Sequence, residues 1–383
     1  MNGSVRRRSK NSWELTIDLG RDSDGTRNRK YVSVKGTKSQ AQQKLRELVS
    51  AWDKGVPLDP SNVTVGEFLG NWLSDYADIN TGPRTAEGYR QKIELHITPN
   101  IGTIRLKKLA PQHVQNLYSQ LTNKGLSARS VTHCHRVLKE ALKYAVKWGL
   151  LAWNVCDAVS PPRAVRKEMK AMTFEEAQLF LTTAAKSPYG VFFFVSTYTG
   201  MRRSELLGLR WSSIDLDRGT ISIHETLQRV TGQGLKTLPT KTASARRMIP
   251  VPKDVVTLLT GFRIKQQQDC EAIGVPWEQS DLVFRHPDLR PFHPDTLTHA
   301  FADVVKKAGI SGVRLHDLRH THASLMLREH VDPKTISARL GHSSVVITLD
   351  TYSHLLPGMQ EEAIERFSQG MDEARGEDPA TIF

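Results

Sequence analysis

Hydrophobic positions change their spacing three times along the chain. Trp13, Leu15, Ile17 and Leu19 alternate with polar residues, the period of a half-buried strand, and a turn-rich GRDSDGTRN then leads to a second strand in KYVSV. A helix is expected from about Ser39 to Lys54. Beyond the linker-like GVPLDPSN the period becomes helical. Thr64 and Glu67 form a capping-box pattern ahead of Phe68, Leu69, Trp72 and Leu73. Further helices are predicted from Thr85 to His96, from Pro111, and from Ser127 through Val131, Val137, Leu138, Leu142 and Ala145. A second break, DAVSPPRAVRKEMKAM, precedes another capping box at Thr173 and Glu176. The helices after it are interrupted by GTISIHETL, LKTLPTKT and RRMIPVP, which read as strands of a small antiparallel sheet, with SDLVF as a short addition. Helices resume near Pro294, near His316, at Asp332-Pro333 and around Ser344 to Ser353.

These changes divide the chain into a small sheet plus helix (residues 1–57), an all-helical domain (62–158) and a mostly helical third domain with a sheet insertion (170–383). The fold class is α+β, multidomain. A length of 383 residues suits two or three domains.

Charge narrows the partner. The formal net charge is +13, which points to a polyanion. Residues 1–38 hold ten basic side chains against four acidic ones. A small basic sheet can enter a DNA major groove, so Arg6, Arg7, Arg8, Lys10, Arg27, Arg29 and Lys30 are candidate DNA contacts. Arg84 and Arg129 are candidates in the helical domain, where a solvated face is the competing reading. The tail from Gly358 reverses the trend: it is acidic, with Met359, Ala363, Ile364, Phe367 and Met371 as an apolar stripe suited to packing on protein, in its own chain or a neighbour. Cys134, Cys156 and Cys270 form no CxxC pair, which suggests a reducing, cytoplasmic setting without structural zinc. No apolar run approaches membrane-spanning length and no secretory signal is visible, so no membrane is expected as a partner.

Four stretches of the third domain concentrate polar chemistry. TYTGMRRSELLGLRW places Arg202 three residues before Glu205, which can orient the guanidinium. TKTASARRMIPV sets Lys241 in a Thr-rich turn. RLHDLRHTHAS carries His316 and Arg319 on one helical face, and LGHSSVVITLDTYSHLL carries His342 and Tyr352. Each has a plain structural reading: a salt bridge, a solvated lysine, a packed histidine, a buried tyrosine. His316 and His320 lie four apart, but Asp317 and Leu318 follow the first His where a zinc hydrolase has Glu, so no metal is expected. Together the residues suit an anion site that neutralises charge with fixed cations. Arg fits a phosphate because its planar fork donates two parallel hydrogen bonds and keeps its proton. A free Tyr is ionised only about once in a thousand at neutral pH, so it needs a base and a positive field to attack. His is the fitting base.

The same stretches resemble the tyrosine recombinase family of phage and mobile-element integrases. The family order is Arg, hairpin Lys, His-x-x-Arg, His or Trp, then the Tyr nucleophile. TGMRRSE matches at Arg202, KTASARR at Lys241, LHDLRHTHAS at His316 and Arg319, LGHSS at His342 and TLDTYSH at Tyr352. The match covers roughly 170–355; the two preceding domains look like the family's core-type and arm-type DNA-binding domains. The resemblance implies a 3′-phosphotyrosyl intermediate on Tyr352, with Arg202 and Arg319 on the phosphate, Lys241 as acid for the leaving 5′-oxygen, His316 as base for Tyr352 and His342 on the phosphate. Glu205 would orient Arg202, and Arg203 is the neighbouring competitor for the role of Arg202. It implies no cofactor, core and arm sites on double-stranded DNA, a homotetramer passing through a Holliday junction, DNA-bending and directionality proteins as accessory partners, and work in the cytoplasm of a bacterial host, at the nucleoid. A type IB topoisomerase would use similar residues as a monomer, and a catalytically silent DNA-binding regulator or a nucleoid protein would explain charge without needing the full set.

Overall fold

The computed structural model describes residues 3–21, 27–53, 62–164, 169–230, 232–240, 245–277, 281–352 and 359–375. It divides into two compact units, Met1–Arg166 and Lys167–Phe383.

The first unit begins with an antiparallel sheet in the order β1 (Gly3–Ser9), β2 (Ser12–Arg21), β3 (Arg27–Lys35), followed by α1 (Lys38–Asp53). The alternation seen in the sequence is the reason: Leu15 and Ile17 point from β2 into a buried face. Arg6, Arg7, Arg8, Lys10 and Arg29 are exposed. Arg8 pairs with Glu14 at 2.5 Å, and the Arg7 guanidinium lies over the Trp13 ring. The side chains of Arg27 and Lys30 lie outside the described residues, as does most of the GRDSDGTRN turn.

The helical part runs through α2 (Val65–Trp72), α3 (Asp78–Asn80), α4 (Pro83–Lys92), α5 (Thr98–Ile101), α6 (Pro111–Asn123) and α7 (Ala128–Lys147). The Thr64–Glu67 capping box forms in both directions. Single π-turns, Leu73–Ala77 and Ile93–Ile97, join α2 to α3 and α4 to α5. Trp72, Leu106, Tyr118, Leu138 and Leu142 lie in one hydrophobic cluster, separate from that of the second unit. Arg84 and Arg129 are exposed.

The second unit contains α8 (Phe174–Ala184), α9 (Gly190–Thr199), α10 (Arg203–Leu207), β4 (Ile214–Asp215), β5 (Thr220–Ile223), β6 (Glu225–Val230), β7 (Gly234–Pro239), β8 (Arg247–Pro250), α11 (Lys253–Ala272), α12 (Pro294–Lys307), α13 (Asp317–Arg328), α14 (Pro333–Leu340), α15 (Val345–Tyr352) and α16 (Met359–Arg375). The expected single sheet is two: β4-β5-β8 and the hairpin β6-β7. GTISIHETL breaks at His224, after Ile221 and Ile223 have entered the core, and the chain then turns to a different partner. SDLVF contributes only a bridge from Leu282 to Arg210, because Val283 and Phe284 are taken by the core. That core is built on Phe180, Phe192, Phe193, Phe284 and Phe301. It fixes α9 against α13, the two elements whose adjoining segments carry the polar residues described next. On α16, Ile364, Phe367 and Met371 are exposed.

Candidate active site

Two helix ends build the floor of the site. The helix α9 ends on Gly200 in the left-handed conformation (φ +63°). A Cβ there would lie 2.6 Å from His322 Cδ2 and 2.7 Å from Leu340 Cδ2, so the position has no room for any side chain. Its carbonyl accepts a hydrogen bond from Arg319 Nη1 at 2.9 Å. The helix α14 ends on Gly341, also left-handed (φ +67°). Three successive carbonyls at this end each take a different arginine: Arg339 O accepts from Arg247 Nε (2.6 Å), Leu340 O from Arg319 Nη2 (2.6 Å) and Gly341 O from Arg202 Nη2 (3.4 Å). The last carbonyls of a helix lack partners within it and carry the negative end of its dipole, which suits them to hold guanidinium groups that would otherwise repel.

Arg202 is the N-cap residue of α10. Glu205, three residues on and 2% exposed, accepts from the Arg202 backbone N–H at 2.9 Å and from its Nη1 at 2.7 Å. The same carboxylate accepts from Arg247 Nη2 at 2.8 Å. Burial works against the charge on Glu205, but Arg247 and Arg202 outweigh it and hold its pKa below the ordinary carboxylate value. Arg203 turns away: its Nη1 donates to Pro294 O and Thr298 Oγ1. One residue is about 100° of rotation on a helix, so only one of the two arginines can face the site. Arg247 escaped the sequence reading. The only signal was its place as the second arginine of RRMIPV, with no fixed spacing to Glu205.

On α13, Asp317 is buried and clamped by the Arg314 backbone N–H (2.8 Å) and by its Nε and Nη2 (3.0 Å each), which fixes the helix start and hence His316, its N-cap residue. His316 is held below its usual pKa by burial and by Arg319. Arg319 is 4% exposed. Burial and Arg202 lower its pKa to about 9, so it remains charged at neutral pH. His342 Nδ1 lies 2.8 Å from Thr348 Oγ1, and burial followed by the arginines pulls its pKa to about 4. Tyr352 closes α15. Its ring is 2% exposed and packs on Ala323, Leu327, Ile336 and Leu340. Burial raises its pKa to about 12, opposed by Arg319. Its hydroxyl meets His320 Nδ1 at 2.6 Å, not His316.

Arg202, His316, Arg319, His320, His342 and Tyr352 line one cleft of about 360 Å3. Five of the six expected catalytic positions are therefore together. Lys241 lies outside the described residues, between β7 and β8 in the sequence. His322 is a structural residue: its Nδ1 meets Thr197 O at 3.0 Å and its Nε2 accepts from Arg339 Nε at 3.0 Å. Among the described residues no group of three His, Cys, Asp or Glu is placed to hold a metal ion. Asp317, the nearest carboxylate to the histidines in sequence, is committed to Arg314.

The phage integrase family pattern matches residues 170–358, and the N-terminal SAM-like domain of phage integrases matches 64–122. This chain belongs to the phage integrase family. It is a site-specific DNA recombinase, an enzyme of the class that cuts and rejoins DNA. The recombinase is 25% identical over 374 residues to a XerC-like tyrosine recombinase of Caldanaerobacter subterraneus subsp. tengcongensis, covering 93% of this chain and 95% of the relative. It is 25% identical over 365 residues to the ICEBs1 integrase of Bacillus subtilis, covering 95% and 98%. Its fold is that of the Tn1549 transposon integrase solved in complex with a circular intermediate DNA, with a TM-score of 0.70, 20% identity, and coverage of 80% of this chain and 99% of that one. No described helix of the recombinase is long and apolar enough to cross a membrane.

Proposed function

We propose that Tyr352 attacks a DNA backbone phosphorus in this cleft, forming a 3′-phosphotyrosyl ester and releasing a 5′-hydroxyl. The observation that carries the reading is the convergence of Tyr352 with Arg202, Arg319, His316 and His342 on one cleft. Arg202 and Arg319 bind the non-bridging oxygens and stabilise the charge that builds in the transition state. Their backbone anchors at Gly200, Leu340 and Gly341 set them in place beforehand, so little reorganisation is left to the reaction. His342 hydrogen-bonds the phosphate, and His316, expected from the resemblance to serve as base and later as acid, stands beside it. Lys241 protonates the leaving 5′-oxygen. The tyrosyl ester keeps the energy of the phosphodiester, so rejoining needs no nucleotide. The expected partners are core and arm sites on double-stranded DNA, read by the helical domain and by the N-terminal sheet through Arg6, Arg7, Arg8, Lys10, Arg27, Arg29, Lys30, Arg84 and Arg129. DNA-bending and directionality proteins are the expected accessories, in a bacterial cytoplasm.

Exchange of both strand pairs calls for four copies. The exposed Ile364, Phe367 and Met371 of α16 supply one linking surface, and an apolar groove of about 350 Å3 lined by Phe174, Leu181, Leu325, Met326 and Val331 supplies its seat on a neighbouring copy. The deciding experiment traps the reaction on a nicked duplex bearing the repeat that flanks the gene. Wild-type protein leaves a covalent DNA adduct and Tyr352→Phe leaves none; an adduct persisting in that variant would assign the attack elsewhere. Relaxation of supercoils without paired sites would favour the topoisomerase reading.

A further inference from the structure

We propose that His320, rather than His316, is the catalytic residue that first accepts the proton of the Tyr352 hydroxyl. The inference rests on the reading above that Tyr352 is the nucleophile. His316, the N-cap residue of α13, and His320, in its first turn, are four residues apart and share a face, with ring centres 5.3 Å apart and planes at 90°. Both line the cleft, but only His320 is bonded to the phenolic oxygen, at 2.6 Å from Nδ1. That separation is within the reach a general base needs.

The charges around the pair set the direction of the bond. Burial, then His316, lowers the pKa of His320 to about 4, with Asp317 opposing and Arg319 and Arg314 adding to the effect. The imidazole is thus neutral at pH 7 and offers a lone pair. Burial keeps the Tyr352 hydroxyl protonated. The phenol therefore donates and Nδ1 accepts, with the imidazole proton on Nε2. Free ionisation of the phenol would be strongly uphill between such partners, so the transfer accompanies bond making. The Tyr352 O–H bond breaks as the Oη–P bond forms, the proton passes to His320 Nδ1, and the P–O5′ bond breaks with its electron pair leaving on the 5′-oxygen. That oxygen takes its proton from the acid, Lys241 in the scheme above. On rejoining, the 5′-hydroxyl passes its proton back to that acid as its oxygen bonds to phosphorus, the P–Oη bond breaks with its electron pair leaving on Oη, and His320 returns its proton to the phenolate. His316 is left for the phosphate. A second Tyr–His pair, Tyr118 with His135, has the same hydrogen bond but sits inside the helical core, without a phosphate-binding arginine among its bonded partners. What distinguishes His320 is the cleft it shares with Arg202 and Arg319.

The rival role is a resting latch that merely holds the tyrosine. Asn in place of His320 offers an amide oxygen near Nδ1, so it preserves a latch but cannot take a proton. His320→Asn, assayed as the full chain on the nicked duplex, is expected to bind DNA as wild type does and to form the adduct 10²–10⁴-fold more slowly. The loss should be equal on a duplex with sulfur at the 5′-bridging position, because a thiolate leaves without an acid but the nucleophile still needs its base. His320→Gln serves as the second variant, and melting curves check that each folds. Wild-type or faster cleavage by both variants would reduce His320 to a latch and overturn the proposal. Restoration by the sulfur substrate would move His320 to the leaving-group side and overturn it as well. An adduct in Tyr352→Phe would instead remove the nucleophile reading on which the proposal stands.

Discussion

Glu205 and Arg247 form a buried ion pair: Arg247 Nη2 lies 2.8 Å from Glu205 Oε2, with side-chain exposures of 7% and 2%. Because Glu205 also holds Arg202 at 2.7 Å, one carboxylate ties β8 to the cleft. Removing Arg247 leaves the carboxylate half-compensated in a dry site. Breaking such a pair from one side costs about 3 to 5 kcal/mol. Arg247→Ala is therefore expected to lower stability in urea by that order and to slow adduct formation by freeing Arg202. Adding Glu205→Gln to Arg247→Ala should recover part of the stability, since the orphaned charge is gone. Equal urea midpoints for the single and double variants would show that the pair is not coupled.

Arg319 is anchored by two backbone carbonyls, and its proposed task is at the phosphate. Arg319→Ala is expected to slow cleavage by at least the 10²–10³-fold typical of losing one transition-state donor. DNA binding should fall little, because a single phosphate contact is a small part of the electrostatic total. Filter binding over a salt series, alongside single-turnover cleavage, separates the two. Parallel losses in both would mean that the residue serves binding and not the reaction.

Gly200 tests the floor of the site. Gly200→Ala must place a side chain at φ +63°, which costs about 1 to 2 kcal/mol in itself. It must also push aside His322 and Leu340, both within 2.7 Å of the added carbon. Since the Gly200 carbonyl anchors Arg319, the expected result is a lower melting temperature together with a cleavage defect larger than the stability loss explains. A variant that melts early but cleaves normally at low temperature would confine Gly200 to a structural role.

Much of this architecture was legible in the residues. The capping boxes at Thr64 and Thr173 marked helix starts because their chemistry is local. Arg202, His316, Arg319, His342 and Tyr352 were legible as a set because each sits in a short motif of polar residues within an apolar context. Arg247 and His320 were not. Arg247 acts through Glu205, 42 residues away, and that pairing depends on how β8 packs. In the sequence His320 stands out only as a possible metal partner of His316, and nothing there ties it to Tyr352. Which of two histidines on one helical face meets Tyr352 is decided by the angle at which α15 returns to α13, and no local spacing encodes it. The two-sheet arrangement escaped for a related reason, since strand partners are set by the core and not by alternation.

His322 gives the fold a predictable pH dependence. Its Nδ1–H donates to Thr197 O, and its Nε2 accepts from Arg339, so a second proton would have to sit against a guanidinium. Burial, then Arg339, lowers its pKa to about 3. His320 and His342 fall to about 4. In the unfolded chain each takes up a proton near pH 6.5. Between these values the unfolded state binds more protons, so stability rises with pH there and is lost on acidification. The melting temperature of the full chain is expected to be flat above about pH 7.5 and to decline from about pH 6.5 downwards. His322→Gln should melt lower at pH 8 but show a shallower decline towards pH 5, because one of the titrating groups is gone. A wild-type melting temperature unchanged between pH 7 and pH 5 would mean that these imidazoles are not held neutral by the fold.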